Sequence, residues 1–265
     1  MTDASTDRLA HPAYGLLRPV TESASVLLAD NPGLMTLEGT NTWVLRAPRS
    51  DEMVIVDPGP EDDEHIARVA ELGKIALVLI SHRHADHTGG IDKLVELTGA
   101  PVRAVGSGFL RGLGGPLTDG EVIDAAGLRI TVLATPGHTA DSLSFLLDAA
   151  VLTGDTVLGR GTTVIDTEDG SLGDYLESLQ RLRGLGRRAV LPGHGPDLDD
   201  LEAVASEYLA HRQERLDQVR AALRALGDDA TTRQIVEYVY TDVDEKLWDA
   251  AEWSVQAQLD YLRGE

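Results

Sequence analysis

Cysteine is absent from this chain, which rules out disulfides and removes any requirement for an oxidising compartment. Aromatic residues make up only 4%, so a core must be assembled mainly from Val, Leu, Ile and Ala. No apolar run approaches the length of a membrane span. The segment Met1–Arg8 is polar and lacks the apolar stretch of a secretory signal, so a soluble cytoplasmic protein is expected. Positive charge is scarce: 23 Lys+Arg face 44 Asp+Glu, a net charge of −21. Only 3 of the 23 are lysine, the bias of a GC-rich bacterial genome.

What is present suffices for an enzyme. A length of 265 residues and an apolar fraction of 42% support one sizeable core plus a smaller appendage. Residues 1–198 alternate short strand-like runs with turns and a few helices. Runs at 42–45, 53–56, 76–80, 101–105, 128–133, 143–147, 149–153 and 189–191 read as strands, and 62–72, 90–98 and 173–183 as helices. Residues 199–265 read as wholly helical. Asp199-Asp200 can cap a helix running to about Leu226, and Gly227 ends it. Thr231-Thr232 begins a second helix, and a third spans about Asp244 to Leu262. The pattern alone gives mixed α and β, with a boundary near 198.

Five of the eight histidines fall into three short islands: Ser81-His82-Arg83-His84-Ala85-Asp86-His87, Pro136-Gly137-His138-Thr139 and Pro192-Gly193-His194-Gly195. A fourth island, Thr153-Gly154-Asp155-Thr156, adds a carboxylate. Each follows an apolar stretch, as loops at the ends of buried strands do. Imidazole nitrogens and carboxylate oxygens bind zinc at about 2.0–2.2 Å, and four such groups within six residues form a ligand cluster. Taken singly, His138 or His194 reads as a structural histidine in a turn and Asp155 as a turn or cap residue. Their joint occurrence points to a metal site.

The HxHxDH stretch, the later Pro-Gly-His-Thr, the Thr-Gly-Asp and the last Pro-Gly-His resemble the metallo-β-lactamase superfamily over roughly residues 20–198. Gly39-Thr40-Asn41-Thr42, Gly159-Arg160-Gly161-Thr162-Thr163 and a helical tail with His211-Arg212 are similar to its lactamase-beta-like-2 branch, which includes endoribonucleases and uncharacterised bacterial proteins. The resemblance implies an α/β (α+β) fold: a four-layer αββα sandwich, residues 1–198, followed by a winged-helix-like helical domain, residues 199–265. It implies two zinc ions per chain. His82, His84 and His138 would hold the first, Asp86, His87 and His194 the second, and Asp155 would bridge them. A hydroxide shared by the metals would be the nucleophile, with Asp86 orienting it or carrying its proton. With no cysteine, the cysteine-ligand variants of true β-lactamases are excluded.

The substrate is less legible. The glycine-rich stretch 106–115 reads as a flap placing Phe109 or Arg111 over the site. Asn41, Thr162, Thr163 and Tyr175 are further candidate substrate contacts. Trp248 and Trp253 read as packing anchors. The tail stops immediately after its third helix, so a β-wing is expected to be missing or very short. It carries 7 basic against 16 acidic residues, net −9, which disfavours a polyanion. Arginines 181, 183, 187 and 188, and the group His211, Arg212 and Arg215, are a candidate phosphate track or simply pair with nearby carboxylates. The leading expectation is hydrolysis of a small ester, thioester or lactone. Alternatives are an endoribonuclease with single-stranded RNA as partner, an inactive metal-binding scaffold, and an iron version of the same ligand set. No membrane partner is expected, and the oligomeric state stays open.

Overall fold

Alternation of buried aliphatic residues builds two sheets, seen in a computed structural model that describes residues 10–241 and 244–264. The first sheet has six strands in chain order: β1 (Arg18–Pro19), β2 (Ala24–Leu28), β3 (Asn41–Leu45), β4 (Glu52–Val56), β5 (Lys74–Leu79) and β6 (Val102–Arg103). It is antiparallel from β1 to β4 and parallel from β4 to β6. The second is built from β7 (Val122–Ala125), β8 (Leu128–Ala134), β9 (Leu143–Leu146), β10 (Ala150–Gly154) and β11 (Ala189–Pro192), ordered β11-β10-β9-β8-β7. Only its β10–β11 pair is parallel.

Successive side chains leave a strand on opposite faces, so each strand feeds two cores. Trp43, Leu45, Val54 and Val56 meet Ile130, Val132, Phe145 and Leu152 between the sheets. Truncating a fully buried ring such as Phe145 to alanine costs about 3–5 kcal/mol. Val44, Met53 and Ile55 point outward onto α1 (Asp63–Glu71) and α3 (Ile91–Thr98), which contribute Ile66, Val69, Ile91 and Leu94. Val151 and Val190 point the other way, onto α4 (Leu172–Arg183) and α5 (Leu201–Leu226). The result is an αββα sandwich of four layers. A fourth core joins the last turns of α5 to α6 (Thr232–Val239) and α7 (Trp248–Gly264) through Val219, Ile235, Val236, Val255 and Leu259.

Capping chemistry sets the helix starts. Asp200 accepts from the Ala203 amide, and Thr231 and Gln234 form a reciprocal capping box. The third tail helix opens with a 3-10 turn, Glu245–Leu247, before α7. Three strands escape the sequence pattern. β1 has two residues, β2 is nearly all buried so its alternation is hidden, and β7 is an edge strand with Asp124 on its exposed face. Among the described residues no strand follows β11, and no helix is long and apolar enough to cross a membrane.

The glycine-rich stretch is not a flap. Ser107–Phe109 is a 3-10 turn, Phe109 packs against the outer core of the first sheet, and Arg111 pairs with Asp92 while its backbone bridges Val102. An ion pair and two backbone hydrogen bonds hold it on the outer face, away from the histidines.

Candidate metal centre

The four islands leave the ends of β5, β8, β10 and β11 on one rim of the sandwich. Backbone hydrogen bonds lace them together: Leu143 N to Ser81 O, Gly193 N to Gly154 O and Asn41 N to Gly193 O, each 2.8 Å. Gly193 must be a glycine, because a Cβ there would lie 2.4 Å from Asp155 Oδ1. Gly137 holds φ +136° and passes so close to Tyr175 that a Cβ would overlap the latter's backbone.

The rim brings all seven ligand-type residues together. His82 Nε2 lies 3.0 Å from His84 Nδ1, which lies 3.1 Å from His138 Nε2. In a second trio, His87 Nε2 and His194 Nε2 are 3.2 Å apart, and Asp86 Oδ2 is 3.3 and 3.1 Å from them. Asp155 sits between the trios, with one oxygen 3.3 Å from His194 and 3.8 Å from His138 and the other 3.5 Å from His87. Atoms that share one tetrahedral ion at about 2.0–2.1 Å are separated by about 3.3 Å, the scale seen here.

Outward hydrogen bonds fix which nitrogen carries each proton. His138 Nδ1 donates to Val164 O at 2.6 Å and His194 Nδ1 to Gly39 O at 3.1 Å; a carbonyl only accepts. His84 Nε2 meets Asp166 at 2.7 Å, His87 Nδ1 meets Asp57 at 2.9 Å, and His82 Nδ1 meets Ser81 Oγ at 3.0 Å. With those protons directed outward, the inward nitrogens of His82, His84 and His138 present lone pairs to one another, an arrangement that a shared cation stabilises. Asp155 Oδ1 is buried with no hydrogen-bond donor, a further place for positive charge.

Electrostatics separate the two trios. Burial and the neighbouring rings push His82 below the ordinary histidine range, and burial does the same to His138, so both are neutral imidazoles. Burial opposes charge on His87 as well, but the Asp155, Asp57 and Asp86 carboxylates outweigh it and raise that imidazole. His194 stands at about 9 for the same reason, with Asp155 the main contributor against burial. Asp155 is buried and Asp86 half-buried, yet His194 and His87 hold both carboxyls well below the usual carboxylate range.

With this geometry in place, the comparison with known proteins is decisive: residues 35–194 match the metallo-beta-lactamase superfamily. The chain belongs to that superfamily. Residues 231–265 match the beta-lactamase associated winged helix domain. A beta-lactamase-like protein 2 homolog from Caenorhabditis elegans is 31% identical over 240 residues, covering 85% of this chain and 79% of that one. A protein of Aspergillus chevalieri named atrochrysone carboxyl ACP thioesterase is 36% identical over 242 residues, covering 86% and 76%. A metallo-beta-lactamase family protein from Thermus thermophilus has the same fold, with a TM-score of 0.74 at 24% identity, covering 91% of this chain and 93% of that one. The protein is thus a metallo-beta-lactamase superfamily hydrolase, and its His/Asp groups are compatible with a dinuclear metal site.

Above the histidines this superfamily member has a cavity of about 390 Å³, within the range of small-molecule sites. Met35, Leu37 and Leu158 wall one side, and Tyr240, Leu247 and Ala251 the other. Thr162 and Thr163 line it, as sequence reasoning expects. Asn41 and Tyr175 do not. Asn41 is buried, and its amide donates to Pro192 O and Gly195 O, holding the last island in place. Tyr175 is fully buried, and its hydroxyl donates to Thr156 O at 2.8 Å. Trp253 is 47% exposed and lines a smaller cavity beside His84 and His138, so it is not a packing anchor. Sequence reasoning also missed Asp57, Thr40 and Asp166, which contact the ligand side chains. The one signal was Asp57 itself, a lone carboxylate between the apolar strand β4 and Pro58-Gly59.

Proposed function

We propose that this hydrolase cleaves a small acyl thioester, or a kindred ester or lactone, using two zinc ions. His82, His84 and His138 would hold one and Asp86, His87 and His194 the other, with Asp155 placed between the two groups. The observation that carries the reading is the buried, donor-free Asp155 oxygen among converging imidazole lone pairs, set beneath an apolar cavity. When bound, such a metal pair makes water nucleophilic near neutral pH and offsets charge on the reacting carbonyl oxygen. Asp86 lines the cavity, accepts from the Thr40 hydroxyl at 3.3 Å, and is placed to orient the attacking water by accepting a hydrogen bond from it. The apolar walls dock an acyl group and exclude water around it. Related proteins named as thioesterases support the same substrate class.

RNA fits less well. Arg181 pairs with Asp119, Arg187 with Asp200, and Arg212 is buried, so three members of the candidate phosphate track are neutralised or hidden. The test is turnover by zinc-loaded protein on acyl thioesters and lactones beside a single-stranded RNA oligonucleotide, with Asp155→Ala as the contamination control. Thioester cleavage that vanishes in the variant is expected. RNA cleavage that vanishes in the variant, with every thioester intact, would overturn the reading.

A further inference from the structure

Helix α5 lies between the two family matches, yet it reaches the metal centre through two side chains one turn apart. The Tyr208 hydroxyl accepts from Leu158 N at 3.1 Å and lies 3.3 Å from Leu158 O. The Arg212 guanidinium donates to Thr163 O and stacks 5.0 Å from the Tyr175 ring centroid. Together they grip both ends of the loop running from Leu158 to Thr163.

Arg212 is an unusual residue for that position. It is 3% exposed, its Nε has no hydrogen-bond partner, and among the described residues no carboxylate pairs with it. Removing a guanidinium from water without a counter-ion is strongly unfavourable, so its placement needs a reason beyond packing. The loop supplies one. The carbonyl after Thr163, on Val164, accepts a hydrogen bond from His138 Nδ1, and Asp166 accepts one from His84 Nε2. Thr163 Oγ1 also lies 3.4 Å from His138 Nδ1. Two of the three rings in the first trio are therefore oriented by the segment that α5 holds. The side chains of the second trio are oriented from elsewhere, His87 by Asp57, His194 by Gly39 O and Asp86 by Thr40, and the loop meets that trio only through the backbone, where Gly159 N donates to His194 O at 2.9 Å.

We propose that Tyr208 and Arg212 are positioning residues that set metal affinity at the His82/His84/His138 position far more than at the other. The inference rests on the two-metal reading above. Outer contacts of this kind alter affinity about 10–100-fold when removed.

The experiment is a cobalt(II) titration of the full chain, followed by its visible spectrum. His138→Ala and His194→Ala first assign the two binding steps. Arg212→Met and Tyr208→Phe should then weaken the step that His138→Ala abolishes by at least tenfold and leave the other within about twofold. Arg212→Lys, which keeps one donor for Thr163 O, should restore part of the loss. A purely structural role would weaken both steps together, and that result, or no change in either, would overturn the proposal. Tyr208→Phe keeps the ring and its packing, so the test survives if Arg212→Met does not fold. Unaltered protein that takes up fewer than two ions would overturn the two-metal reading, and the inference with it.

Discussion

Asp57→Asn isolates proton placement from shape. Asp57 is 2% exposed and sits at φ +56°, a conformation asparagine tolerates as readily as aspartate. Its carboxylate accepts from Ser81 N at 2.7 Å, Ser81 Oγ at 2.6 Å and His87 Nδ1 at 2.9 Å. In the variant the amide oxygen stays on Ser81 N, which has no other acceptor. The amide nitrogen then faces His87 Nδ1 and must donate. His87 Nδ1 becomes an acceptor and its proton moves to Nε2, the nitrogen a metal needs bare. Returning the proton to Nδ1 sets two donors against each other and forfeits a charge-assisted hydrogen bond of about 1.5–3 kcal/mol. At 1.4 kcal/mol per factor of ten, cation affinity should fall roughly 10- to 150-fold. Ser81 Oγ also contacts His82 Nδ1, so the reversal reaches the first trio and both binding steps should weaken. Calorimetric zinc titration, with circular dichroism to confirm an intact fold, measures this. Wild-type affinity at both steps in a folded variant would refute the tautomer argument.

Two further outcomes follow from the same geometry. Ala250 is half-buried and lines the large cavity, so Ala250→Phe should shorten the chamber without disturbing the core beneath it. Excluding four methylenes of an acyl chain removes about 3 kcal/mol of burial. The value of kcat/KM should then fall a hundredfold or more for long acyl thioesters while short ones are spared, and an unchanged chain-length profile would contradict the assigned chamber. Chelation should abolish turnover and leave far-ultraviolet dichroism unchanged, because the layered cores do not include the ligands; collapse of secondary structure would show the opposite.

The ligand islands are legible in the sequence because each is a short loop that must follow a buried strand, and imidazole spacing survives without knowledge of the fold. The four layers come from resemblance, since periodicity gives strands and helices but not which sheet each joins. The outer contacts are hidden for a geometric reason. Asp57 and Ser81 are 24 residues apart and meet only when the parallel strands β4 and β5 pair, while Asp166 and His84, 82 apart, meet only when the two sheets close. Arg111 misleads because glycine-rich composition signals irregular backbone and not mobility: an ion pair with Asp92 ties this loop down. Tyr175 and Asn41 lie near the centre in sequence, but their polar atoms are spent on backbone partners.

The cavity has two origins. Its floor is made by strand-end loops, all before residue 195, while Tyr240, Leu247, Ala251 and Ser254 of its far wall come from the final helices. Chemistry and selectivity are therefore inherited on different stretches of the gene. Substitutions near the C-terminus can reshape which guests fit while the machinery beneath them stays under separate selection. A lineage built this way can explore new substrates one wall at a time, and exchange of the last two helices between relatives becomes a natural experiment in specificity.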